Sequence, residues 1–76
     1  MKELLNDILT RIVKHPNEVK IKESDEGENI VFEIYVNSED VGQIIGKDGR
    51  TIKSINILLN AAKKDQDKKF ILKVVR

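Results

Sequence analysis

Val41-Gly42-Gln43-Ile44-Ile45-Gly46-Lys47-Asp48-Gly49-Arg50-Thr51-Ile52-Lys53-Ser54-Ile55 sets a four-residue Gly-Lys-Asp-Gly loop between two segments that carry the apolar spacing of helices. Glycine has no Cβ and lets a backbone approach a ligand closely. A helix that begins at the loop turns its free N–H groups and positive dipole end towards whatever binds there. Gly46, Lys47, Gly49, Arg50 and Lys53 therefore read as a clamp for an anion. Val41, Ile44, Ile45, Ile52 and Ile55 offer an apolar floor beside it, which suits a base joined to a phosphate better than a free phosphate. Asp48 adds a negative charge inside the clamp. That charge implies a modest affinity for phosphate, unless Asp48 serves to cap the third helix by accepting from the N–H groups after Gly49.

Outward from this stretch the chain divides into short elements. Met1, Leu4, Leu5, Ile8, Leu9, Ile12 and Val13 recur at i, i+3, i+4 and predict a helix to about Lys14, where Pro16 forbids continuation. His15 at its end reads as structural. Val19 and Ile21 alternate with lysines from Glu18 to about Glu23, and Ile30, Phe32, Ile34 and Val36 alternate with Val31, Glu33 and Tyr35 from Asn29 to Val36. These are two half-buried strands, and the polar Ser24–Glu28 segment with Gly27 makes an antiparallel hairpin whose acidic tip should repel phosphates. Asn37 and Ser38 supply N-cap oxygens for a short second helix ending at Gly46. Ile52, Ile55, Leu58, Leu59 and Ala62 form the stripe of a third, and Lys69 to Val75 reads as a last strand with Phe70, Leu72 and Val74 on one face. The order is α-β-β-α-α-β. A strand that returns after two helices normally adds parallel to its neighbour by a right-handed crossover, which places the second strand in the centre of a mixed three-stranded sheet, an α+β fold with the helices on one face.

With 76 residues and no cysteine, the chain is expected to be one domain without disulfides or a thiolate metal site, in a reducing cytoplasm. No apolar run reaches membrane-spanning length, and Met1-Lys2-Glu3 leads into an amphipathic helix rather than a signal peptide. The net charge of +1 is unevenly spread: residues 1–41 carry −5 and residues 42–76 carry +6. Polyanion contact should therefore use the second half, where Lys47, Arg50 and Lys53 flank the loop and Lys63, Lys64, Lys68 and Lys69 follow. One histidine and scattered surface acids assemble no catalytic set, so the chain reads as a binder rather than an enzyme, with no cofactor and no small-molecule substrate. A P-loop is excluded because only three residues separate Gly42 from Gly46, and Asp48 stands where a magnesium-binding hydroxyl is needed.

Ile44-Ile45-Gly46-Lys47-Asp48-Gly49-Arg50-Thr51-Ile52-Lys53-Ser54-Ile55 resembles the signature of the KH domain family, in which an apolar pair precedes G-x-x-G and an I-x-x-I spacing follows. The helix and strand ahead of the core motif, about residues 29–76, resemble the bacterial type II arrangement, and the likeness to small bacterial single-domain KH proteins covers essentially the whole chain. The resemblance implies that four nucleotides of single-stranded RNA cross a groove between the loop with its helices and the central strand with the segment before the last strand. It implies close backbone passage at Gly46 and Gly49, phosphates at Lys47 and Arg50, and a floor from Gly42, Ile45 and Ile52, with Asp48 and Lys53 in the same site. It further implies an RNA chaperone or post-transcriptional regulator linked to cell-wall homeostasis and cell shape, acting as a homodimer or with a larger KH-containing partner. Scarce aromatics fit: Phe32 and Phe70 read as core, and Tyr35 as an exposed sheet residue rather than a stacking platform. Two other readings stay open. A helix-turn-helix DNA binder fits two helices around a glycine turn, although Ile57, Leu58 and Leu59 are apolar for a recognition helix. A protein-interaction module would use the apolar surplus of the third helix, which suggests a dimer through Ile57 unless the first helix covers that flank.

Overall fold

The computed structural model describes residues 2–62 and 68–75. Helix α1 (Lys2–Ile12) is followed by a single 3-10 turn at Pro16–Glu18, strands β1 (Lys20–Glu26) and β2 (Asn29–Tyr35), helices α2 (Ser38–Ile45) and α3 (Arg50–Ala62), and strand β3 (Lys69–Val75). Met1, the segment 63–67 with Lys63 and Lys64, and Arg76 lie outside the described residues.

The sheet has the expected order β1-β2-β3. β1 pairs antiparallel with β2 from Lys20↔Tyr35 to Glu26↔Asn29, and β3 lies parallel to β2 from Asn29↔Lys69 to Tyr35↔Val75. This is the mixed sheet and element order of the type II KH fold. One face holds Ile21, Phe32, Ile34 and Phe70, buried with Leu5 and Leu9 of α1, Ile44 of α2 and Ile55 and Leu59 of α3. The Phe32 and Phe70 rings, 5.5 Å apart between centroids and tilted by 54°, fill the middle of this core. All three helices therefore cover the same side of the sheet.

Several boundaries differ from the sequence reading, each for a local reason. α1 stops at Ile12, before Lys14, because the Lys14 and His15 N–H groups donate to the two carboxylate oxygens of Asp40, at 2.9 and 3.0 Å. Asp40 is fully buried in the first turn of α2, and this pair of bonds fastens the end of α1 to the start of α2. β1 begins at Lys20, after the turn that Pro16 initiates, and runs on to Glu26 because the ladder with β2 continues to a two-residue turn at Gly27 and Glu28. The stripe of α3 is narrower than its apolar content: Ile55 and Leu59 are buried and Ile52 is half-buried, whereas Leu58 is 52% exposed and Ala62 is exposed. α1 does not cover this flank, and Ile57 is 60% exposed.

Two asparagines on α3 that periodicity does not single out fix β3. Asn60 accepts from the Phe70 N–H at 3.0 Å and donates to the Phe70 carbonyl at 3.2 Å, and Asn56 donates to the same carbonyl at 2.9 Å. The main chain of an outer strand is thus bound by side chains of a helix.

Candidate nucleic-acid interface

Asn37 starts α2 as expected, its Oδ1 accepting from the Glu39 N–H at 2.8 Å. Gly46 ends it, donating to the Gly42 carbonyl at 2.8 Å with φ 75 and ψ 176, a conformation essentially restricted to glycine. The reason for glycine here is internal. A Cβ on Gly46 would stand 2.2 Å from Thr51 Oγ1 and 2.9 Å from the Thr51 backbone nitrogen. Asp48 then adopts φ 57 and ψ 27 and Gly49 φ 75, so three of the four loop residues have positive φ. A Cβ on Gly49 would meet open space. The Gly49 N–H donates to the Gly46 carbonyl at 3.2 Å and the Arg50 N–H to the Lys47 carbonyl, which folds the loop into one tight turn against the start of α3.

The turn holds its side chains outward. Lys47, Asp48, Arg50 and Lys53 are exposed, and among the described residues none of them forms an ion pair. The expected cap by Asp48 does not form. α3 starts at Arg50, so Gly49 occupies the capping position and the left-handed Asp48 lies one residue too early to reach the free N–H groups. Aspartate tolerates the left-handed region better than most residues, which accounts for its fit to the backbone.

The floor differs from the one expected. Ile44 and Ile55 belong to the buried core and leave no surface for a ligand. Ile45 and Ile52 remain, half-buried on either side of the loop, and Gly42 is exposed on α2 with open space where a Cβ would lie. Ser38, Val41, Gly42 and Ile45 fall at i, i+3, i+4 and i+7 and so share one face of α2. That face leads to a 280 Å³ pocket lined by Val36, Ser38, Val41 and Val75. Val36 and Val75 were not among the candidates; the parallel register that sets Tyr35 opposite Val75 is the signal that brings the two strand ends together.

The remaining charges sort themselves away from the loop. Lys68 forms a salt bridge with Asp25 at the hairpin, and Lys69 lies on the sheet face opposite to Phe70. The bond from Lys68, and next the Gly27 N–H, hold the Asp25 carboxyl below the usual carboxylate range. His15 lies between Glu39, 3.4 Å from Nε2, and Glu18, 3.8 Å from Nδ1, at the opposite end of α2 from the loop. Among the described residues no group of three acids, histidines or cysteines is placed to hold a metal ion, and no helix is long and apolar enough to cross a membrane.

Known sequences resemble this chain along nearly its whole length. The family described as "KhpA/KhpB, KH domain" matches residues 2–74. The RNA-binding protein KhpA of Thermotoga maritima is 62% identical over 76 residues, covering 100% of both chains. The protein of the same description from Oceanobacillus iheyensis is 35% identical over 99% of this chain and 100% of its own length. That from Chlamydia pneumoniae is 49% identical over 59 residues, 78% of this chain and 76% of its own.

Proposed function

This chain belongs to the KhpA/KhpB family of KH domains, and from that premise we propose that it binds single-stranded RNA across the Gly46–Gly49 loop and the adjoining face of α2. The observation that carries the reading is a glycine turn with Lys47 and Arg50 held outward and unpaired among the described residues, directly beside the half-buried Ile45 and Ile52. Lys47, Arg50 and Lys53 meet phosphates, while Gly42, Ile45 and Ile52 lie under the bases. The 280 Å³ pocket at Val36, Ser38, Val41 and Val75 extends this floor for an apolar or base-sized group. Several relatives are described as RNA-binding protein KhpA, which supports the ligand class.

So few charged contacts give one domain modest affinity. A second domain, from another copy or a larger KH-containing partner, would raise it by linking two weak events. The exposure of Ile57 (60%) and Leu58 (52%) favours α3 as the pairing surface, and weak, reversible contact suits an RNA chaperone or regulator. Titrating a labelled single-stranded RNA, and separately duplex DNA, tests the ligand. With about three phosphates engaged, log affinity for the RNA should fall against log salt with a slope of about −2, and equal or tighter binding of duplex DNA would overturn the reading. Light scattering of the parent and of Ile57→Lys tests the pairing, because a dimer indifferent to that charge does not use α3.

A further inference from the structure

The side of the sheet away from the helices is open, and the strand register arranges it into rows across all three strands: Lys20–Tyr35–Val75, Lys22–Glu33–Lys73, Ser24–Val31–Ile71 and Glu26–Asn29–Lys69. Four lysines on this face, Lys20, Lys22, Lys69 and Lys73, are exposed, and among the described residues none forms an ion pair. Only two acids accompany them: Glu33, half-buried between Lys22 and Lys73, and Glu26, which accepts from the Ser24 hydroxyl. Tyr35 is 37% exposed and Ile71 42% exposed, giving the face an aromatic and an aliphatic surface between the cations. The division of charge along the chain conceals this patch. Lys20 and Lys22 come from the acidic half and Lys69 and Lys73 from the basic half, and only the pairing of β1 and β3 to opposite sides of β2 unites them.

Lysine is depleted from the cores of protein interfaces, whereas a groove or face that follows a single strand combines cations for phosphates with an aromatic ring for a base. From strand geometry, Lys22 and Lys73 stand about 10 Å apart across the sheet, with Tyr35 about 7 Å further along the middle strand. We propose that the open sheet face is a second contact surface for single-stranded RNA, in which Tyr35 stacks a base and Lys20, Lys22 and Lys73 meet the flanking phosphates. It faces away from the glycine loop and meets the pocket that extends the loop floor only at Val75, so one long strand can pass from one surface to the other. The inference rests on the reading of this chain as an RNA binder.

Tyr35 is the only tyrosine and there is no tryptophan, so intrinsic emission reports on this face alone. The test uses the full chain with fluorescein-labelled single-stranded RNAs of about 4 and about 20 nucleotides, since a tetranucleotide is long enough only for the loop groove. On the longer RNA, Tyr35→Ala should lose at least about fivefold in affinity. Lys22→Gln with Lys73→Gln should flatten the salt slope by about 1.4. Tyrosine emission of the parent, corrected for absorption by the RNA, should be quenched by the longer strand and not by the tetranucleotide. Unquenched emission together with unchanged affinity and slope, while Lys47→Asp abolishes binding, would overturn the sheet surface and leave the loop reading standing. A change in molar mass with no change in RNA affinity would overturn it in favour of a second copy on this face. A parent that binds neither RNA would overturn both readings.

Discussion

The chain makes two tight turns that combine glycine with charged residues, at opposite ends of the central strand's connections, and they are built differently. At the hairpin, Asp25 accepts from the Gly27 N–H at 3.2 Å and pairs with Lys68, so the turn's charge is used to hold the turn. At the loop between α2 and α3, positive φ at Gly46, Asp48 and Gly49 closes the backbone on itself, and Lys47, Asp48 and Arg50 contribute nothing to its closure beyond main-chain bonds. Glycine and charge are therefore common to a turn that its own charges hold and a turn whose charges stay exposed. What separates them is whether the charged side chains are spent inside the protein.

The largest expected effect tests the backbone half of that contrast. Gly46→Ala should cost about 3 kcal/mol in urea unfolding, from a disfavoured φ and a collision with Thr51. Gly27→Ala, with φ 80 and open space around its Cβ, should cost about 1 kcal/mol. Equal losses would show that the two turns are equally tolerant and that Thr51 moves aside. The next effect tests the charge half: Lys47→Asp should weaken single-stranded RNA binding by at least about tenfold while changing stability by less than about 0.5 kcal/mol, because the side chain is exposed and unpaired. Asp48→Asn keeps a residue that accepts the left-handed backbone and removes the repulsive charge. Its RNA affinity at low salt should rise by about two- to fivefold, and a fall would mean that the carboxylate itself contacts the ligand.

The smallest effect concerns the hairpin. Because the Lys68 bond lowers the Asp25 pKa below its ordinary value of 3.8, the stabilisation it brings is complete above that value and is lost as the pH falls through the lowered one. Thermal unfolding of the parent and Asp25→Asn should therefore differ at about pH 6 and converge under acid at about pH 2. A gap that persists unchanged to the acid end would place the stabilisation in something other than the ionised carboxylate.

Element order, the central position of β2 and the parallel placement of β3 follow from side-chain periodicity and connection rules, and the loop with its exposed cations follows from local composition. The features that escaped are bonds between a side chain and a distant main-chain group. Asp40 looks in the sequence like any acid in a first helical turn, yet its partners are the N–H groups of Lys14 and His15, 26 and 25 residues earlier. Asn60 looks like a polar break in an apolar helix, but its partner is Phe70, across the segment 63–67. Gly46 and Gly49 are indistinguishable in the motif, and only the position of Thr51 separates a glycine required by packing from one with open space beside it. Ile44 and Ile45 are likewise adjacent and chemically identical; a helix turns one into the core and leaves the other half-buried near the loop.

The asparagines on α3 carry a consequence for self-association. A sheet of three strands has two open edges, and each invites a further strand from another molecule. β1 discourages this by composition, since Lys20, Lys22, Glu23, Asp25 and Glu26 leave Ile21 as its one buried residue. β3, with the sequence Lys-Phe-Ile-Leu-Lys-Val-Val, is more apolar than β1 and carries two lysines, Lys69 and Lys73, as its only charges. Asn60 occupies the Phe70 N–H and carbonyl that an incoming strand would need, with Asn56 on the same carbonyl. At Phe70 the helix side chains thus take the place of an incoming strand, and Lys69 and Lys73 add the charge that makes the rest of this edge a poor template.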